Sequence, residues 1–144
     1  MERTLSYLAQ LVARRLRDHG LFARTVGLKL RFAPFKTLTR DATLDEPTNL
    51  DSVIFSNVLR LLANTWDGKQ KIRLVGVRSS NLGRAVFQRS LIDAAQHEKL
   101  DKVLQAADKV RKKFGFDAVQ LARSVEPERP AKPRKRREFL GREN

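Results

Sequence analysis

An α+β domain is the fold class this sequence predicts: a small mixed or antiparallel sheet with two helices packed on one face. Three observations lead there. Residues Arg24 to Phe32 alternate, with Val26, Leu28, Leu30 and Phe32 on one face of an extended strand and Thr25, Gly27, Lys29 and Arg31 on the other. Two stretches, Thr4 to His19 and Leu50 to Thr65, repeat apolar residues at three and four, the spacing of a half-buried helix. Two further strand-like runs, Phe35 to Leu44 and Lys71 to Leu82, complete the order helix, strand, strand, helix, strand.

The first helix carries Leu5, Leu8, Val12 and Leu16, with Ala9 and Ala13 beside them. Arg14, Arg15 and Arg17 fall toward its end, where the helix dipole favours cations, and Gly20 is the stop. The basic-faced strand follows, and Ala33-Pro34 breaks it, because proline biases the preceding residue away from helix. The second strand is rich in threonine and carries Lys36 and Arg40. Two strands joined so closely form a hairpin or near-hairpin.

Asp45-Glu46-Pro47 reads as a turn, and Asp41 is taken with Asp45 and Glu46 as turn chemistry at a strand end. Thr48 to Asp51 fits a capping box opening the second helix, whose stripe is Leu50, Val53, Ile54, Val58, Leu61 and Leu62. Asp67-Gly68 ends it, and Trp66 is expected to lie as a lid on the core. The third strand slips its alternation at Val75-Gly76, which predicts a bulge there. Gln96 to Phe114 forms a third helix ending at Gly115, and Asp117 opens a short last helix through Arg123. The tail from Glu126 is rich in Pro, Arg, Lys and Glu and is expected to be disordered. The organisation expected is thus a sheet-and-helix domain over 1–83, a connector over 84–95, a helical extension over 96–125 and a basic tail over 126–144.

Thirty Lys and Arg against sixteen Asp and Glu leave a net charge of +14 in 144 residues. Residues 1–83 carry fourteen basic against seven acidic side chains, so the folded part is basic in its own right. Such a surplus points to a polyanion, nucleic acid first. There is no cysteine, hence no disulfide framework and no thiolate chemistry. His19 and His97 alone do not make a zinc set. No apolar run approaches the roughly 18 residues that span a bilayer, and the N-terminus lacks a secretion-type apolar core. A cytoplasmic, nucleoid-associated protein without membrane partner or cofactor is expected.

The runs TVGLKLRFAPFKTLTR and KIRLVGVRSSNL, in this order and spacing, resemble the little-finger domain of Y-family translesion DNA polymerases, in the DNA polymerase IV branch. The resemblance covers about residues 3 to 92. It implies a sheet whose open face lies along DNA and grips mainly phosphates, giving affinity without sequence choice. It implies contacts from Thr39 and Arg40 on the second strand, and from Arg73, Arg78 and Ser80 on the third. Strand alternation alone adds Lys29 and Arg31. The family's domain opens with a strand before its first helix, in a central place, and no such strand precedes Thr4. An incomplete sheet, with imperfect pairing of the other three strands, is therefore expected.

No strand carries the acidic set that holds two metal ions for nucleotidyl transfer, so no catalytic residue is assigned and no polymerisation is expected from this chain alone. A catalytic core on the same gene or a separate chain is an expected partner. Phe87 to Asp93 resembles the peptide by which bacterial polymerases bind the sliding clamp. Gln88 would enter a polar subsite, and Leu91 with Ile92 an apolar pocket. The other destination open to Leu91 and Ile92 is the domain's own core. Two readings from other classes stand beside DNA binding: a free-standing basic RNA-binding protein, and a module acting only through the clamp peptide.

Overall fold

The computed structural model describes residues 1–33, 35–84 and 94–125, with backbone only for 94–97. The first amphipathic stretch forms helix α1 (Glu2–Asp18). Its buried apolar stripe is Leu5, Ala9, Ala13 and Leu16. Arg15 and Arg17 lie in its last turn. Gly20 follows with φ +63°, a left-handed conformation that costs glycine least.

The alternating segment is β1 (Phe22–Phe32), which runs antiparallel to β2 (Thr37–Thr48). Helix α2 (Asp51–Thr65) leads to β3 (Ile72–Gly83), which returns antiparallel along the other edge of β1. The sheet order is β2-β1-β3. Val26, Leu28, Leu30 and Phe32 of β1 are each at most 2% exposed. They meet Leu5, Ala9, Ala13 and Leu16 of α1 and Ile54, Phe55, Val58 and Leu62 of α2 in one core. Burial of such side chains is worth about 1.5–3 kcal/mol each, so the central strand anchors both helices. Trp66 packs partly buried on this core and donates its indole N–H to the Gln70 carbonyl at 2.8 Å.

Several expectations are corrected. The three strands pair with one another, β1 taking both neighbours, so the sheet has no central gap. Among the described residues an apolar groove lies beside β3, lined by Val12, Leu16, Leu21, Val77 and Leu82. Asp45-Glu46-Pro47 is not a turn between elements but a register shift inside β2, between the pairs Thr25–Thr43 and Ala23–Thr48. The capping box does not form. Helix α2 starts at Asp51 with Leu50 as N-cap, and the Thr48 hydroxyl accepts from Leu50 N–H instead, at 3.1 Å.

The bulge in β3 sits at Arg73 rather than at Val75-Gly76. Arg31 pairs with Leu74 while Phe32 pairs with Ile72, leaving Arg73 over. Ile72 and Val75 are three residues apart and both pack on the core. Only an extra residue between them lets both point inward.

Helix α3 (Ala94–Phe114) ends at Gly115, φ +98°. The segment after it is two 3-10 turns, Phe116–Ala118 and Ala122–Ser124, rather than one short helix. Its backbone groups are taken by side chains of α1 and α3. Arg111 Nε donates to the Val119 carbonyl at 2.8 Å, and Leu121 N–H donates to Gln10 Oε1 at 3.3 Å. Among the described residues no helix is long and apolar enough to cross a membrane.

Candidate nucleic-acid interface

The register decides which side chains share a face. Helices α1 and α2 lie on the Leu28 side of the sheet, so among the described residues the opposite side is open. Four cross-strand rows make it up. They are Thr43, Thr25 and Ser80; Asp41, Gly27 and Arg78; Thr39, Lys29 and Gly76; and Thr37, Arg31 and Leu74. Each row is written in the order β2, β1, β3. The face therefore offers hydroxyls along β2, two cations in the middle and a third on β3. Hydroxyls and cations are the groups that contact phosphates without reading bases.

Lys29 and Arg31 are exposed, two residues apart on the central strand. Arg31 Nε donates to Thr37 Oγ1 at 3.1 Å, which holds its guanidinium over the β1–β2 pair. Thr39 is exposed on the same face, beside Lys29. Ser80 pairs with Thr25, whose hydroxyl accepts from Asn81 Nδ2 at 2.8 Å. These five expected residues, Lys29, Arg31, Thr39, Arg78 and Ser80, thus share one surface.

Two others do not. Arg40 pairs with Leu28 and so lies on the helix side, at the exposed edge strand, with Nη1 donating to the Thr39 carbonyl at 3.2 Å. Alternation sends it opposite to Thr39. Arg73 occupies the bulge, and its guanidinium stands 4.6 Å from the ring centroid of Phe35, a cation–π arrangement. Phe35 is 65% exposed and has φ +76°, unusual for a bulky residue. Gln88, Leu91 and Ile92 lie outside the described residues.

One pair on the face was not expected. Arg78 forks onto Asp41 across β1, Nε to Oδ1 at 3.1 Å and Nη2 to Oδ2 at 2.5 Å. Asp41 is thus no turn residue; it lies mid-strand. Hydrogen bonding to Asp41, with its charge, raises the Arg78 pKa further above its ordinary value. Gly27 makes the pair possible. A Cβ there would run into the Asp41 carboxylate and stand 2.7 Å from Arg78 Cγ and Nε. The sequence signal was the glycine in an otherwise apolar-or-basic alternation, between an acid and an arginine that only the register brings level.

A family model described as the impB/mucB/samB family C-terminal domain matches residues 1–101. The chain belongs to this family. It is the C-terminal domain of the Y-family polymerases, and the match takes in α1, the whole sheet, α2 and the start of α3. Curated relatives agree with it. A DNA polymerase IV of Dehalococcoides mccartyi is 40% identical over 126 residues, covering 86% of this chain and 32% of the relative. A DNA polymerase IV of Desulfatibacillum aliphaticivorans is 34% identical over 122 residues, covering 83% of this chain and 31% of the relative. That of Listeria monocytogenes is 36% identical over 88 residues, 61% of this chain. The chain spans about a third of the length of the first two relatives. In this Y-family C-terminal domain the open face is built wholly from the family-matched segment, whereas the 3-10 turns on α1 lie beyond it.

Proposed function

We propose that this domain binds primer-template or damaged duplex DNA through the open sheet face, as the DNA-gripping part of a translesion polymerase of the DNA polymerase IV type. The observation that carries the reading is the single surface shared by Lys29, Arg31, Thr39, Arg78 and Ser80, with no helix over it among the described residues. Its cations neutralise phosphates and its hydroxyls donate to them, so affinity is indifferent to sequence and falls steeply with salt. Arg73 extends the face at one end and Arg40 meets the backbone from the sheet edge. Nucleotidyl transfer, in this reading, belongs to a catalytic core outside this chain. Fluorescence anisotropy with duplexes of unrelated sequence tests it: equal affinities and a linear fall of log K with log salt are expected, and a marked preference for one duplex sequence, or for folded RNA, would contradict it.

The connector is read as a tether to the replication sliding clamp, through Gln88, Leu91 and Ile92. Its support is the motif and its place directly after the last strand. A clamp titration of the Leu91→Ala, Ile92→Ala double variant tests it, and unaltered clamp affinity would refute it.

A further inference from the structure

The pair between Asp41 and Arg78 has an odd placement. It sits in the middle of the face that should attract anions, and it is exposed, with 55% of the Arg78 side chain and 39% of the Asp41 side chain accessible. An exposed pair of this kind contributes little to stability. Yet the strand between the two is a glycine whose Cβ would displace both partners. The remaining β2 residues in the four rows are Thr37, Thr39 and Thr43, so Asp41 is the one carboxylate among them.

A carboxylate and a phosphate present the same two-oxygen edge to a guanidinium. In the free protein Asp41 supplies that edge, and both the Nε and Nη2 donors of Arg78 are used on it. We propose that Asp41 is an internal counter-anion, which occupies Arg78 until a nucleic-acid phosphate displaces it and so sets the affinity of the open face. This rests on the reading of that face as the DNA-binding surface. The exchange is one anion for another on the same donors, with no bond made or broken. Asp41 also places a negative charge one row from Lys29, so it holds down the attraction of the whole face. A polymerase domain that must release and re-grip DNA at each step gains from a grip that is deliberately incomplete.

Asp41→Asn tests this, with Arg78→Ala and the double variant, by anisotropy on a duplex at 50, 100 and 200 mM salt. Asp41→Asn is expected to bind about five- to tenfold tighter, with a log–log salt slope close to that of the natural chain, since Arg78 meets the phosphate in both complexes. The gain should vanish when Arg78 is Ala. The melting temperature should stay within about 2 °C, as for loss of an exposed pair. Should Asn disturb the strand, Asp41→Ser places a hydroxyl there, as in the neighbouring rows, and should give the same gain. Equal or weaker binding by a stably folded Asp41→Asn would overturn the proposal and leave DNA binding standing, with Asp41 then positioning Arg78. A gain that survives in the Arg78→Ala background would overturn it too, since bulk charge would explain it. If neither the natural protein nor Asp41→Asn binds at 50 mM salt, the DNA-binding reading itself falls.

Discussion

Arg17, in the last turn of α1, donates two hydrogen bonds to Asp108 of α3, Nε to Oδ2 at 2.6 Å and Nη2 to Oδ1 at 3.2 Å. Arg111 adds a third at 3.2 Å, and Arg17 also reaches the Asn49 carbonyl at 2.8 Å. All three side chains are at most 13% exposed. Through Arg17, which also holds the entry to α2, one carboxylate thus joins two helices. Removing it would leave two cations buried without their counter-charge. Asp108→Ala is expected to lower stability by about 3 kcal/mol, read from chemical denaturation. A loss under about 0.5 kcal/mol, the scale of a surface pair, would show that the junction does not matter.

The same pair makes a pH prediction. Burial opposes ionisation of Asp108, but hydrogen bonds and charge from Arg17 and Arg111 outweigh it and hold its carboxyl below the ordinary value of 3.8. A depressed folded-state pKa means stability that is complete above the unfolded value and lost as pH falls through the folded one. The contribution of Asp108 should therefore be intact from neutral pH down to about 4.5 and fade below the ordinary carboxylate range. Denaturation midpoints of the natural chain and Asp108→Asn should stay apart above about pH 5 and draw together only as pH falls below the ordinary carboxylate range. A gap that persists at low pH would contradict it.

Gln10 is fully buried on α1 and serves four partners. Its Nε2 donates to the Ser6 carbonyl and Ser124 Oγ, and its Oε1 accepts from Arg111 and Leu121 N–H. Tyr7 and Phe116 meet edge to face nearby, with centroids 5.3 Å apart. Gln10→Ala should cost about 2–3 kcal/mol, the penalty of stranding buried polar groups, and should increase amide exchange over 116–124 before elsewhere. Uniform exchange across the chain would count against a local role.

Leu91 and Ile92 separate two outcomes. As clamp ligands, their joint replacement by Ala abolishes clamp binding and leaves the melting temperature nearly unchanged. Seated in the groove beside β3, the same change would cost several kcal/mol, like other large-to-small core changes, with clamp affinity intact. The first result is expected.

Where a single element decides its own geometry, the sequence was readable. The alternation of Val26 to Phe32 gave the strand and both its faces, and the three-four spacing of Leu5 to Leu16 gave α1. Gly20 and Gly115 marked their helix ends. What could not be read depended on pairing between strands. The bulge moved to Arg73 because Ile72 and Val75 must both face inward, a demand set by β1. Asp41 looked like a turn residue because nothing local places it opposite Gly27 and Arg78. Arg40 resembled a face contact until the register put it behind Leu28. Ser6, Gln10 and Arg111 are polar yet buried, because their hydrogen bonds join α1, α3 and the segment after it, which no local pattern shows.

The most direct test of the DNA-binding claim is the salt dependence of duplex binding by the natural chain and by Lys29→Ala with Arg31→Ala. These two cations are on the face and off the core, so the fold should survive their loss. The double variant is expected to bind every duplex sequence more weakly by a similar factor, and its log–log salt slope should flatten by about 1.8, two phosphate contacts at about 0.9 each. An unchanged affinity and slope, in a variant that melts like the natural chain, would contradict the assignment of this sheet face to DNA.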